Sequence, residues 1–182
     1  MTIPDAKLVD QAAKGDKGAF GNLYERYLDE IYRYVFFRLF NHQEAEDLTE
    51  MTFLKAWEAL PKSRKKIKNF RAWIYRIAHN LIVDEIRKNH PEMLEDNAVF
   101  QDNNFNIENL VEREQENQTL VRAIAQLENN YRQVIVLRFF NQISHAEAAE
   151  ILDIDEGHVR VLQYRGLKRL RKLLEKGSAD DG

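Results

Sequence analysis

The chain of 182 residues contains no cysteine, which excludes disulfides and thiol chemistry and suits a reducing cytoplasm. No apolar run approaches the roughly 20 residues that a membrane span needs. The stretch from Thr2 to Asp10 is polar and acidic, unlike a signal peptide. The chain also lacks internal repeats. We therefore expect a cytoplasmic protein without membrane insertion.

The sequence also lacks a constellation of side chains for catalysis or cofactor binding. Its histidines, which show no metal-ligand spacing, are His42, His79, His90, His145 and His158. Glu46 and Glu50 lie at helical spacing, but no nucleophile or histidine accompanies them. A phosphate-binding loop of the Walker type is missing. We expect no catalytic residue, no metal site, no cofactor and no enzymatic activity.

The net charge is only −3, but the charges are segregated along the chain. Residues 59–83 hold seven Lys/Arg and no acid, and residues 157–176 hold seven Lys/Arg and one acid. Between them, residues 92–118 hold eight Asp/Glu and one Arg. Two basic regions separated by an acidic connector indicate two sites for polyanions, with the connector kept off them.

Apolar residues recur at three- and four-residue spacing, and no segment alternates as a strand does. Helices are predicted from about Pro4 to Lys14, Asp16 to Leu39, Gln43 to Leu60, Phe70 to Lys88, Ile107 to Leu127 and Tyr131 to Phe140, followed by a helix-turn-helix. The predicted fold is all-α, with two small helical domains joined by a flexible acidic linker. The predicted bounds are 1–90, 91–106 for the linker, 107–176, and a disordered tail over 177–182.

The C-terminal domain carries the helix-turn-helix. Ser144 and Glu147 form a capping box, and Asp153-Ile154-Asp155 makes the turn, with Asp155 capping the second helix. The outer face of that helix comprises His158, Arg160, Val161, Tyr164, Arg165 and Lys168. Such a helix fits the DNA major groove, where these side chains reach bases and phosphates. The alternative is an amphipathic hairpin with a solvated charged face.

A basic segment before the fourth predicted helix is a second signal for nucleic acid. Its polar residues, with two from the helix that follows, are Lys62, Arg64, Lys65, Lys66, Lys68, Asn69, Arg76 and Asn80. Cations hold a nucleic-acid backbone, and aromatics can stack on unpaired bases. The segment alone is weak evidence, because a solvated loop beside a buried Trp73 has the same composition. We expect Phe70 and Trp73 in the core.

The third predicted helix suggests a protein partner. It carries Asp47, Glu50, Met51 and Leu54 on one face, with Phe53 close by. Carboxylates beside exposed apolar groups suit a partner with a basic surface. A solvated acidic face is the alternative.

These segments, in this order, resemble the bacterial RNA polymerase sigma factors of the extracytoplasmic-function (ECF) group of the sigma-70 family. The resemblance extends from about Leu8 to Leu174. It rests on the helix-turn-helix and on the stretches Ala45 to Thr49, Thr52 to Trp57, Phe70 to Ala78 and Tyr131 to Ile135.

The resemblance implies an alternative sigma factor, a promoter-recognition subunit with two DNA-reading domains. Residues 1–90 would form sigma region 2, whose third helix binds the β′ clamp helices of core RNA polymerase and whose basic segment and fourth helix read and melt the minus-ten element. Residues 107–176 would form region 4, which contacts the β flap and reads the minus-thirty-five element. The linker would enter the RNA path of the enzyme, and an anti-sigma protein would restrain the factor.

The sequence departs from the family pattern at four places. Glu50-Met51 stand where the family usually has Gln-Glu, Asp153 where it often has Gly, His158 where Thr is common, and Glu128 where Pro is frequent. The other interpretation is a one-component helix-turn-helix regulator that binds operators without polymerase and dimerises or senses through its N-terminal helices.

Overall fold

A computed structural model describes residues 1–63, 65–99 and 115–180. Its helices are α1 (Asp5–Ala13), α2 (Lys17–Leu39), α3 (His42–Ala59), α4 (Phe70–Asn89), α5 (Gln115–Ala125), α6 (Asn129–Ile135), α7 (His145–Leu152) and α8 (Glu156–Asp180). Over these ranges there is no strand, so the prediction of an all-α class is confirmed. Arg64, linker residues 100–106 and the expected helix start at Ile107 lie outside the described residues.

The N-terminal unit comprises α1 to α4, and Asx caps start α2, α3 and α4. Asp16 accepts a hydrogen bond from the Ala19 amide at 3.0 Å, and Asn41 accepts one from the Glu44 amide at 3.0 Å. Each satisfies a backbone donor that a helix start leaves without a partner inside the helix. The apolar faces of α2 and α4 then meet in a closed core, formed among others by Leu23, Ile31, Ile74, Ala78 and Ile82.

The C-terminal unit, α5 to α8, contains the predicted helix-turn-helix. Ser144 and Glu147 form the capping box at the start of α7, and Asp155 accepts a hydrogen bond from the His158 amide at 2.9 Å. Asp153 adopts a left-handed conformation with φ 55° between α7 and α8. Glycine adopts this conformation without steric cost, and Asp is one of the few other residues that tolerate it. Before α7, the chain forms a π-helical segment, Val136–Phe140.

The predicted tail is wrong for residues 177–180, because α8 continues to Asp180. The Ser178 hydroxyl donates to the Leu174 carbonyl at 3.0 Å, and Gly177 lies beside Thr119 of α5. The glycine and polar residues of this segment predicted that the helix would end before it. Packing of α8 against α5 instead stabilises the helix as far as Asp180.

The two units lie in direct contact. The start of the predicted linker is folded against both, since Met93 is buried and the Asn129 and Asn130 amides donate to the carbonyls of Ala98 and Asp96 at 2.8 and 2.9 Å. Helix α7 packs on α4, and the π-helical segment packs on α2. None of the helices over the described ranges is long and apolar enough to cross a membrane.

Candidate nucleic-acid and polymerase interfaces

The structure places all six predicted residues of the second motif helix on one exposed face of α8. They are His158, Arg160, Val161, Tyr164, Arg165 and Lys168. The opposite face, with Val159, Leu162 and Gly166, is buried. Residues three, four and seven positions apart share a side of a helix, so the burial of one stripe leaves the other free for a ligand. We call this exposed stripe the α8 face.

The α8 face combines cations with an exposed aromatic ring. Arg160 forms an ion pair with Glu156 one turn earlier, with 2.6 Å between Nη2 and Oε1. The Lys168 ammonium lies 6.0 Å from the centre of the Tyr164 ring, which is 68% exposed. Both contacts are within the helix and on its surface, so they cost little to exchange for phosphate or base edges.

The basic segment before α4 is mostly exposed. Lys62, Lys65, Lys66 and Lys68 are in solvent, with Lys66 3.5 Å from the Asp10 carboxylate. Phe70, as expected, is buried. Trp73 is partly buried, with its ring centre 5.7 Å from that of Phe70.

Two of the predicted minus-ten residues contact the C-terminal unit instead of solvent alone. Asn69 caps α4 by accepting from the Ala72 amide at 3.1 Å, and its own amide donates to Glu147 Oε1 at 2.9 Å. Arg76 Nη1 donates to the Glu150 carbonyl at 3.4 Å. Asn80, one turn further along α4, is exposed.

On α3, four of the five predicted partner-binding residues are exposed. They are Asp47, Glu50, Met51 and Leu54, and the last two are 44% and 50% exposed. Phe53, the fifth, is 3% exposed and meets the Tyr24 ring edge-on at 4.7 Å. It supports the floor of an apolar groove of about 330 Å³ between α2 and α3, which Leu54 borders. The Phe53 ring lies at the edge of the exposed face of α3. It is buried there because α2 packs against α3.

A polar cluster between the two units was not predicted from the sequence. Arg71 Nη2 pairs with Glu30 Oε2 at 3.1 Å, and the Tyr75 hydroxyl donates to the same carboxylate oxygen at 3.1 Å. From the C-terminal unit, the Asn141 amide donates to the Tyr75 hydroxyl at 2.7 Å and to the Glu30 carbonyl at 2.8 Å. Burial, followed by the Glu30 charge, raises the pKa of Tyr75 above its usual value. The sequence does contain a signal for this cluster, because its polar residues occupy positions that helical spacing assigns to buried faces.

A second buried cluster lies nearby, around Arg38 of α2. The guanidinium of Arg38 is 2% exposed and donates to the Tyr34 hydroxyl at 3.3 Å and to Asn129 Oδ1 at 3.4 Å. Burial, followed by the charge of Arg38, lowers the pKa of His79 to about 3. The same two causes lower the pKa of Arg132 to about 9. Arg132 Nη1 donates to the carbonyls of Ala125 and Leu127, at the end of α5, at 3.3 and 3.1 Å.

Within the described ranges, no group of three or more acidic or histidine side chains could hold a metal ion. The geometry thus defines a helical protein with a helix-turn-helix in one unit, and with a basic segment and an exposed acidic and apolar face in the other.

Comparisons with known proteins identify the family. The Sigma-70 region 2 family matches residues 23–91, and the Sigma-70 region 4 family matches residues 117–170. SigW, an ECF RNA polymerase sigma factor of Bacillus subtilis, is 34% identical over 188 residues, covering 96% of this chain and 98% of SigW. The ECF sigma factor BldN of Streptomyces coelicolor is 34% identical over 175 residues, covering 92% of this chain, which spans 65% of the length of BldN.

The fold agrees with these relatives. A solved structure of CnrH in complex with the cytosolic domain of CnrY superposes with a TM-score of 0.74 at 26% identity, covering 94% of this chain and 97% of CnrH. The chain belongs to the ECF group of RNA polymerase sigma factors and is an alternative sigma factor. The prediction from the sequence is confirmed, and nothing in the comparisons supports the one-component regulator.

Proposed function

We propose that this protein binds core RNA polymerase, directs it to promoters with a minus-thirty-five and a minus-ten element, and promotes melting without catalysis of its own. The observation that carries the proposal is the α8 face, a basic and aromatic surface that follows a capped helix-turn-helix. Residues 107–176 act as region 4 and residues 1–90 as region 2, with 91–106 as the linker that enters the RNA path.

The α8 face reads the minus-thirty-five element. Its long basic side chains reach guanine edges or phosphates, and Val161, 44% exposed, suits contact with a thymine methyl group. His158 stands where the family often has Thr, so this factor prefers an upstream sequence of its own. The buried opposite stripe fixes the helix in the unit, which holds the reading side chains in register.

The minus-ten element is bound by the basic segment and α4. Exposed Lys62, Lys65, Lys66 and Lys68 attract the phosphates of the strand, with Arg64 of the same segment. Asn69, Arg76 and Asn80 contact unpaired bases. Melting needs no hydrolysis, because capture of unpaired bases offsets an unstacking cost of a few kcal/mol per base.

Core polymerase binds the α3 face. Asp47 and Glu50 face the basic surface of the β′ clamp helices, while Met51 and Leu54 bury apolar area beside the groove. Phe53 contributes by shaping the groove from within. The C-terminal unit contacts the β flap. The protein acts in the cytoplasm, where an anti-sigma protein restrains it.

The test is affinity for purified core RNA polymerase. Reversal of both α3 charges, Asp47→Lys with Glu50→Lys, is expected to weaken binding roughly 10-fold or more, because two complementary pairs become repulsive. The matched control is Glu25→Lys with Asp29→Lys, which makes the same charge change on two exposed residues one turn apart on α2. Equal affinity of the α3 variant and the control would remove the clamp assignment.

A further inference from the structure

We propose that Met51 is a site of reversible oxidation, through which a peroxide weakens the binding of this protein to core RNA polymerase. The inference rests on the proposed function, because it concerns the α3 face that we assign to polymerase. That face is formed by Asp47, Glu50, Met51 and Leu54. The inference adds to it a modification site and the chemical class of the agent that modifies it.

The sulfur atoms of this chain differ in their access to solvent. The sequence has no cysteine and three methionines, Met1, Met51 and Met93, all of which lie in the described ranges. Met93 is 6% exposed and belongs to the core, whereas Met51 is 44% exposed in the middle of α3. Exposure favours oxidation of a thioether, so a peroxide reaches Met51 before Met93, and no thiol competes for it. Met1 is also exposed, but it lies before α1, outside the proposed interfaces.

Met51 lies where its oxidation changes a binding surface and leaves the core intact. Asp47 is four positions before it and Leu54 three positions after it, so the three side chains share one side of α3. Leu54 is itself 50% exposed. The carboxylates of this face can pair with cations of the partner. The thioether and Leu54 supply the apolar area that binding removes from water.

The step is a two-electron oxidation of the thioether sulfur. The O–O bond of hydrogen peroxide breaks, and one of its oxygens becomes bonded to Met51 Sδ. The other oxygen leaves with both protons as water, so the peroxide is reduced. Methionine sulfoxide reductases reverse the change with two thiols, which are oxidised to a disulfide while the sulfoxide oxygen leaves as water.

The sulfoxide makes the α3 face a poorer surface for polymerase. Its oxygen is a strong hydrogen-bond acceptor, which water satisfies in the free protein and which binding would bury. The ionised carboxylates of Asp47 and Glu50 beside it also only accept, so they cannot satisfy it. A buried acceptor without a donor is expected to reduce affinity about tenfold.

The experiment compares each full-length protein with itself before and after oxidation. The folded wild type, Met51→Leu and Met93→Leu are treated with hydrogen peroxide, which catalase then removes, and are titrated with untreated core RNA polymerase. The ratio of the two dissociation constants cancels any effect of the substitution on untreated affinity. Met93→Leu is the matched control, because it makes the same change at a buried methionine and keeps Met51. Peptide mass mapping over time gives the rate at which each methionine gains one oxygen atom.

In the wild type, Met51 is expected to oxidise several-fold faster than Met93. The dissociation constant is expected to rise about tenfold in the wild type and in Met93→Leu, and to stay unchanged on treatment of Met51→Leu. Treatment with the two reductases, one for each sulfoxide epimer, is expected to restore the wild-type affinity. Met51→Gln, which places a polar group there without any oxidant, is expected to bind more weakly than Met51→Leu.

Oxidation of Met51 no faster than that of Met93 would overturn the site, and this result needs no polymerase. Equal ratios in the wild type and Met51→Leu, or an oxidised wild type that keeps its affinity, would overturn the effect on binding. A loss that the reductases do not restore would overturn reversibility. Failure of the proposed function is distinct, because untreated wild type would then not bind core polymerase although Met51 still oxidises first.

Discussion

At the scale of the residue, the most unusual feature is the cluster of basic side chains buried where the two units meet. Arg38 and His79 share the Tyr34 hydroxyl, which lies 3.0 Å from His79 Nδ1. Arg38 Nη1 is 3.5 Å from the same ring nitrogen and can only donate, so Nδ1 is the unprotonated, accepting nitrogen. A second positive charge on the ring would be buried beside the guanidinium, which explains why its pKa falls.

This geometry predicts a histidine-dependent loss of stability in acid. His79 has a folded-state pKa of about 3, below the usual 6.5, so the unfolded chain binds more protons between these values. Its contribution is therefore fully present above pH 6.5 and is lost as the pH falls toward 3. From pH 7 to pH 5 the loss from this group is up to about 2 kcal/mol.

The measurement is urea unfolding of the wild type and His79→Gln at both pH values. Gln keeps a hydrogen bond to Tyr34 but does not titrate, so the variant is expected to lose less stability between pH 7 and pH 5. All other titrating groups are common to the two proteins. Identical losses would mean that His79 is already solvated or charged in the folded state.

A second residue-scale prediction concerns Arg165, which is exposed on the α8 face. Arg165→Ala is expected to lower affinity for promoters that need the upstream element about 5- to 100-fold, if it pairs with a base as arginine does with guanine. Gel-shift titration of polymerase holoenzyme measures this. Lys172→Ala, on an exposed position two turns further along α8, is the control. An equal effect of the two substitutions would make Arg165 a general phosphate contact.

At the scale of the element, α8 is positioned by a close approach to α6. A Cβ atom added at Gly166 would lie 3.1 Å from Ile135 Cγ1 and 3.2 Å from Tyr131 Cβ. Both distances are tighter than ordinary van der Waals contact, so the absence of a side chain allows the two helices to meet. The angle at which α8 presents its reading face depends on this contact.

Two glycines of the same helix are therefore expected to respond with opposite signs. Gly166→Val should destabilise the protein by about 1–3 kcal/mol through overpacking. At Gly177 the nearest atom is Thr119 Cγ2 at 3.6 Å, so Gly177→Ala should stabilise by about 0.5–1 kcal/mol through helix propensity. Chemical denaturation of each variant measures both effects. A neutral Gly177→Ala would place the end of α8 in solvent as frayed chain, and a neutral Gly166→Val would contradict the close approach.

The features predicted correctly from the sequence are those whose interactions join residues close together in the chain. The capping box of Ser144 and Glu147 and the cap at Asp155 depend on residues within three positions, which the sequence displays directly. The polar cluster between the two units was not predicted, because its interactions join residues far apart in the chain. The hydrogen bond between Asn141 and Tyr75, for example, joins residues 66 positions apart. The burial of Phe53 was not predicted for the same reason, since it depends on the packing of α2 on α3.

At the scale of the whole molecule, the low net charge and the segregation of the basic residues together determine how strongly the protein attracts DNA. A net charge of −3 gives the free protein little general attraction for DNA. The proposed function therefore requires that the affinity for a promoter comes from two weak DNA contacts that polymerase holds together.

The basic segment gives a whole-molecule prediction, because its charges act through the open complex. Lys65→Ala with Lys66→Ala should lower open-complex formation and reduce the slope of its logarithm against log salt by nearly one unit for each phosphate that is no longer neutralised. The Lys66 ammonium is 3.5 Å from the Asp10 carboxylate, but both side chains are well exposed. Such an exposed ion pair is weak, so it competes little with the binding of Lys66 to a DNA phosphate. Permanganate reactivity of unpaired thymines across a salt series measures the slope.

The control is Lys7→Ala with Lys14→Ala, which removes two exposed lysines of or next to α1. An unaltered slope in the Lys65 and Lys66 variant would assign those lysines to solvent.

The central claim is that this chain gives core RNA polymerase promoter specificity, and run-off transcription tests it most directly. Purified core enzyme with and without the protein is given a pool of genomic promoter fragments. We expect new, discrete start sites preceded by a shared pair of elements, and their loss with the Asp47→Lys and Glu50→Lys variant. Transcripts unchanged by the protein, together with tight binding of duplex DNA by the chain alone, would contradict the claim.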